Sequence, residues 1–182
     1  GKSEAIPLFF GPGSLEAIKE LQNMNFVVVL FDDDPYTTLN YVKVYKHLGT
    51  KFSSVFGISH EVAARCNILR IGAGGFSKVF NNPGVKLAAK VSIVKVYLLT
   101  RGLHQSGTWP NLNVMLSKRL HSVVMFVYRK ATKTRFVVGG NNDNMLSDLD
   151  VLCKYDLLSA GALVRFARTQ LFHRILKKRP PL

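Results

Sequence analysis

The stretch Val91-Ser92-Ile93-Val94-Lys95-Val96-Tyr97-Leu98-Leu99 decides how the rest of the chain is read. β-Branched and aromatic side chains dominate it, and these fit a pleated surface better than a helix, where the preceding turn crowds χ1. It reads as a strand. A second run, Phe26-Val-Val-Val-Leu-Phe31, is continuously apolar, as a strand covered on both faces is. Phe52–Phe56 and Arg135–Val138 supply two shorter strands, the last stopped by Gly139-Gly140.

Helical patterns lie between them. Ser14 caps a helix from Leu15 to Asn23 with Leu15, Ile18 and Leu21 on one face. A second spans Thr37–Leu48 and stops at Gly49; a third runs from Ser59 to Cys66. Ile71–Asn82 holds Gly72, Gly74 and Gly75 and leads into Pro83-Gly84, so it reads as a glycine-rich loop. From Thr108 and Pro110 a helix extends to Arg129 through Leu116, Leu120, Val123, Val124 and Val127. Ser147–Lys154 is a short helix. Ser159 or Asp156 opens a longer one, with Leu157, Ala160, Val164, Ala167, Leu171 and Ile175 on one stripe. Strands alternating with helices predict an α/β fold: a small sandwich with one mixed four-stranded sheet flanked by helices, plus a C-terminal projecting helix. The corresponding division is an N-terminal arm over 1–13, an α/β domain over 14–154 with an inserted loop at 67–90, and a basic C-terminal helix over 155–182.

Charge points to the partner. The 182 residues carry 25 Lys and Arg against 11 Asp and Glu, a formal net of +14. Residues 1–34 are acidic, with two basic residues against six acidic ones. Between Glu61 and Asp143 there is no acidic residue, while 13 Lys or Arg fall there. An ordinary solvated surface mixes both signs. A one-sign block this long builds a field that attracts polyanions, nucleic acid or an anionic membrane surface. Twelve Phe and six Tyr exclude a disordered basic tail. The longest apolar runs fall far below the roughly 20 residues of a spanning helix, so no membrane partner is expected.

Catalytic constellations are missing from the sequence. Gly72-Ala-Gly74-Gly-Phe-Ser77 lacks the third glycine of a dinucleotide fingerprint, and Lys78-Val-Phe80 leaves too little room for the helix that should follow. Asp32, Asp33 and Asp34 are adjacent, so their carboxylates diverge, and they read as a solvated strand end. His47, His60, His104, His121 and His173 show no metal-ligand spacing, and Cys66 and Cys153 stand far apart. The expectation is a non-enzyme with no cofactor and no metal.

The order of elements and the string Arg135-Phe-Val-Val-Gly-Gly-Asn-Asn-Asp-Asn-Met-Leu-Ser-Asp-Leu-Asp-Val-Leu-Cys-Lys154 carry a resemblance. The chain resembles the stalk-base family of the large ribosomal subunit, called L-ten in bacteria and P-zero in eukaryotes, over roughly residues 14–66 and 91–172. The large basic surplus is similar to that of a mitochondrial version. The resemblance implies a structural constituent of the mitochondrial large subunit, in the matrix, that binds rRNA at the stalk base beside neighbouring ribosomal proteins. It implies RNA contacts by Lys43, Lys46, Lys51 and Arg65, with Ser59 and His60 offering a helix start to a phosphate. It also implies a C-terminal helix that takes stalk dimers through Val164, Leu171 and Ile175. The family's K-N-T turn before the third helix is replaced here by Gly57-Ile58-Ser59. The rival expectation is a basic viral matrix-type protein bridging an anionic membrane and nucleoprotein.

Overall fold

The computed structural model describes residues 4–5, 11–22, 27–28, 38–42, 45–47, 50–53, 57–135 and 146–178. The chain divides into two compact units, Gly1–Glu61 and Val62–Leu182.

In the first unit Gly11 and Gly13 adopt positive φ, 89° and 81°, and turn the chain into α1 (Ser14–Gln22). Its strands are short: β1 (Glu4–Ala5), β2 (Val27–Val28), β3 (Thr38–Tyr41), β4 (Tyr45–His47) and β5 (Thr50–Phe52). β3 lies between β1, parallel to it, and β2, antiparallel to it with Val27 opposite Leu39. β4 and β5 form a separate hairpin. The helix expected over Thr37–Leu48 is therefore strand in its described parts. Thr37, Thr38, Val42 and Val44 make that segment rich in β-branched residues, and pairing with neighbouring strands overrides its helical spacing. The run expected as a strand over Phe26–Phe31 is described only at Val27–Val28, where it is one.

The second unit is helical, and here the expected α/β sandwich is overturned. α2 begins at Ser59 and continues to Gly75, nine residues beyond its expected end. Val62, Cys66, Leu69 and Ala73 recur at helical steps and are all fully buried, so the core stripe runs through the glycines rather than stopping before them. α3 (Ser77–Asn81) follows at once, burying Phe80. The stretch first read as a strand is helix: α4 (Leu87–Ile93), a π segment (Val94–Leu99) and α5 (Thr100–Gly102) are contiguous. Val94, Leu98 and Leu99 are buried, while Val96 and Tyr97 stay 60% and 55% exposed, which is a helix's pattern and not a strand's. A helix satisfies its backbone within itself, and no strand of this unit stands alongside among the described residues to pair with it.

α6 (Val114–Thr132) is the central helix. Asn113, not Thr108, caps it, its Oδ1 accepting from the Leu116 N–H at 2.8 Å. Lys133, in the left-handed region at φ 62°, ends it. Leu116, Leu120, Val123, Val124, Val127 and Ala131 form its buried face, each large aliphatic contributing on the order of 1.5–3 kcal/mol of burial. α7 (Asp148–Lys154) starts with a reciprocal Ser147–Asp150 capping box. Ser159, and not Asp156, caps α8 (Ala160–Lys177). The strand expected over Arg135–Val138 falls, beyond Arg135, outside the described residues.

α8 is packed only in part, its residues from Phe172 to Lys178 being exposed. Its first half packs on α6 and on the 3-10 turn Ser106–Thr108. Gly107 of that turn lies so close that an added Cβ would stand 2.8 Å from the Ala167 carbonyl oxygen. Arg168 clamps the same junction, donating to the carbonyls of Trp109 at 3.0 Å and Pro110 at 2.8 Å and to Asn111 Oδ1 at 2.9 Å.

Asp148 ties α7 to α6. Its carboxylate accepts from Arg129 at 2.6 Å and pairs with His121 Nε2 at 3.0 Å. Partial burial raises its pKa, but the hydrogen bonds and charges of Arg129 and His121 outweigh this and hold it below the usual carboxylate range. A depressed carboxyl stabilises the fold above its unfolded pKa, and the contribution is lost as pH falls through the folded value. Asp148→Asn is expected to cost about 1 kcal/mol at neutral pH, a modest figure because the Asp148 side chain is one-third exposed. The gap between the wild-type and variant melting temperatures should close as the solution is acidified below the usual carboxylate range. A gap unchanged at low pH would mean the charge is not what matters.

Candidate nucleic-acid interface

The second unit concentrates the charge. Residues 62–182 hold 20 Lys and Arg against four Asp, a net of +16, and the first unit's residues carry five against seven, a net of −2. Several of these cations are structural. Arg65 is 5% exposed and donates to the Arg101 carbonyl at 3.1 Å, closing the end of α5. Arg129 and Arg168 hold the junctions described above, Lys90 is 8% exposed, and Lys133 donates to Asn81.

Others gather on one face. α6 buries one side completely, which leaves Met115, Lys118, Arg119, Ser122 and Phe126 exposed on the other, with Lys130 half-buried beyond them. Arg119, Phe126 and Lys130 lie at steps of seven and four residues, so they share a stripe. Lys130 Nζ sits 5.7 Å from the centre of the Phe126 ring, within cation–π range. Arg70 is exposed on α2. Both Arg70 and Arg119 act electrostatically on Cys66, whose thiol is nevertheless pushed up because burial is the larger influence. Cys66 is thus a neutral core thiol rather than a nucleophile. An exposed phenyl ring flanked by guanidinium and ammonium groups offers a base a stacking surface and its phosphates counter-charge.

The first unit holds a smaller cationic feature. The β4–β5 register sets Lys46 directly opposite Lys51, and both are exposed. Side chains opposite one another in a hairpin share a face, and like charges so placed repel until an anion intervenes. The Lys51 N–H donates to the buried Glu61 at 2.7 Å, which pins the hairpin to the start of α2. Ser59 and His60, in that first turn, are half-buried. Of the six residues singled out for RNA, Lys46 and Lys51 are brought together and Arg65 is taken into the core. Lys43 lies outside the described residues.

Of the three residues expected to receive stalk dimers, Val164 is 6% exposed and Leu171 half-buried against the molecule's own helices, while Ile175 is 55% exposed. In the sequence the α6 patch is obscured by the Leu116–Val127 stripe, which marks the buried face alone. The signal was present: Lys118, Arg119 and Lys130 with Phe126 occupy positions the apolar stripe leaves free.

Among the described residues no His, Cys, Asp or Glu cluster could hold a metal ion, and no helix is long and apolar enough to cross a membrane. No family model, curated protein or solved structure matches the chain.

Proposed function

We propose that this protein is a non-enzymatic RNA-binding protein whose helical unit docks on folded RNA through the outer face of α6. The observation that carries the reading is the coincidence, on one helix face, of Lys118, Arg119 and Lys130 with an exposed Phe126, in a unit of net charge +16. Cations neutralise phosphates, and the ring receives an unstacked base from a loop or bulge. The finer placement, a constituent of the mitochondrial large ribosomal subunit at the stalk base, is supported by the basic surplus and the Arg135–Lys154 string. The element order that first suggested it is not the one this chain adopts.

Filter binding of the full chain to a stalk-base rRNA fragment should give a steeply salt-dependent affinity and a preference over a plain duplex of equal length. Native protein should co-sediment with large subunits after a high-salt wash. Equal affinity for any polyanion would remove the RNA reading.

A second reading, adhesion to an anionic membrane surface in a matrix-type protein, is favoured by α8. There Phe172, Ile175 and Leu176 are 63%, 55% and 44% exposed beside Arg174 and Lys177. Flotation with anionic vesicles in the absence of RNA separates the two.

A further inference from the structure

We propose that a cleft between the π segment and α8 is a binding site for a single-chain carboxylate of medium length. The cleft has a volume of about 340 Å³ and is walled chiefly by Leu99, Leu103, Leu163 and Phe166, which puts it at the small end of ligand pockets. A methylene takes up about the volume of a water molecule in the liquid, roughly 30 Å³. The space therefore suits an acid of about ten carbons.

Its polar groups say what the ligand must carry. Tyr128 and Thr100 line the cleft, but their hydroxyls donate to the carbonyls of Leu158 and Val96. Burial has also pushed the Tyr128 pKa up to about 12, so that phenol stays a neutral donor. Ser106 is different. It is fully buried, it lines the cleft, and its hydroxyl has no hydrogen-bond partner among the described residues. A buried hydroxyl left unpaired is costly, and few native side chains are found so. Lys95 supplies the charge: it is exposed, lines the same cleft, and among the described residues its Nζ donates to the Asp156 carbonyl alone, at 3.3 Å. Among the described residues no acidic side chain lines the cleft to compete for it. Ser106 Oγ is shielded in the ligand-free cleft; a turn about χ1 brings its hydroxyl to one carboxylate oxygen while Lys95 pairs with the other, and the chain covers the leucines and Phe166. Lys95 and Leu99 both come from the π segment, an irregularity that recurs at functional sites.

Calorimetric titration and thermal melting of the full chain, with decanoate, 1-decanol and acetate below any micelle concentration, test the assignment. Decanoate should bind with one-to-one stoichiometry and raise the melting temperature, decanol should bind at least about tenfold more weakly, and acetate should do nothing. Ser106→Ala should weaken decanoate about tenfold while leaving the ligand-free melting temperature unchanged or higher, since it removes an unpaired hydroxyl. Lys95→Gln, at an exposed position, should weaken decanoate and spare decanol. Leu163→Phe should fill the cleft and abolish binding; if it fails to fold, the Lys95→Gln result decides. Decanol binding as well as decanoate, several ligands per chain, or decanoate affinity untouched by Lys95→Gln would each overturn the proposal. So would a Ser106→Ala variant that is less stable yet binds normally.

Discussion

Charge reversal of Lys118, Arg119 and Lys130 to Glu is expected to abolish high-affinity RNA binding. Three lost phosphate contacts lower the slope of log K against log salt by about two to three and reduce affinity on the order of a thousandfold at low salt. The three side chains point away from the buried face of α6, so the fold should persist. Reversing Lys86, Lys177 and Lys178, which are exposed elsewhere, changes net charge equally and should lower affinity far less. Phe126→Ala separates the two parts of the interface. Loss of one stacked base costs roughly 1–3 kcal/mol while leaving the salt slope unchanged. Equal effects of the two triple reversals in filter binding would show that only the overall field matters, and the α6 face would lose its role.

Among the described glycines, Gly102→Ala should be the most destabilising addition of a methyl group. An ideal Cβ there would lie 2.3 Å from Leu69 Cγ and 2.4 Å from its Cδ2. Leu69 is fully buried in the α2 stripe and cannot swing aside. Helix propensity favours Ala over Gly by up to about 1 kcal/mol, but overpacking of this kind costs roughly 3 kcal/mol or more. The net loss of about 2 kcal/mol corresponds to a fall of roughly 4–8 °C in melting temperature. Gly74→Ala and Gly75→Ala provide the contrast. Both sit in the last turn of α2, where a Cβ meets nothing within 4 Å, so each should be neutral or stabilising. Thermal melting of the three variants checks the sign of each effect. A Gly102→Ala variant as stable as the wild type would mean α5 does not press on Leu69.

Caps were legible because they are local. Ser147 and, of the two candidates Ser159 and Asp156, Ser159 cap α7 and α8 with a short side-chain oxygen that depends on few residues. Ser14, expected as a cap, is instead the first residue of α1, and the Gly13 carbonyl before it accepts from the Ala17 N–H. The identities at 71–99 misled for the opposite reason. Gly72, Gly74 and Gly75 resemble a loop in isolation, yet the Val62–Ala73 stripe continues into them, and at Gly72 an added Cβ would meet Leu98 at 2.6 Å. Glycine there serves close approach between helices, not a turn. The Val91–Leu99 run satisfies β-propensity, but Leu98 and Leu99 find their apolar neighbours only in a helix. Propensity differences of this size yield to burial. Arg65 shows the same for the candidate site: its charge was readable, but only packing could reveal that its guanidinium closes α5 instead of facing a phosphate.

By itself the sequence determined the sign and the uneven distribution of charge, the buried stripe of α6 and the first half of that of α8, and the starts of α7 and α8. These depend on residue identity and on spacing within a turn or two. Tertiary structure alone decided that the middle of the chain is helix, which lysines and arginines remain at the surface, and that Ser106 lies unpaired beside an apolar cleft. Burial is a property of neighbours distant in the chain, and it is burial that settles whether a glycine turns or packs and whether a cation binds or braces.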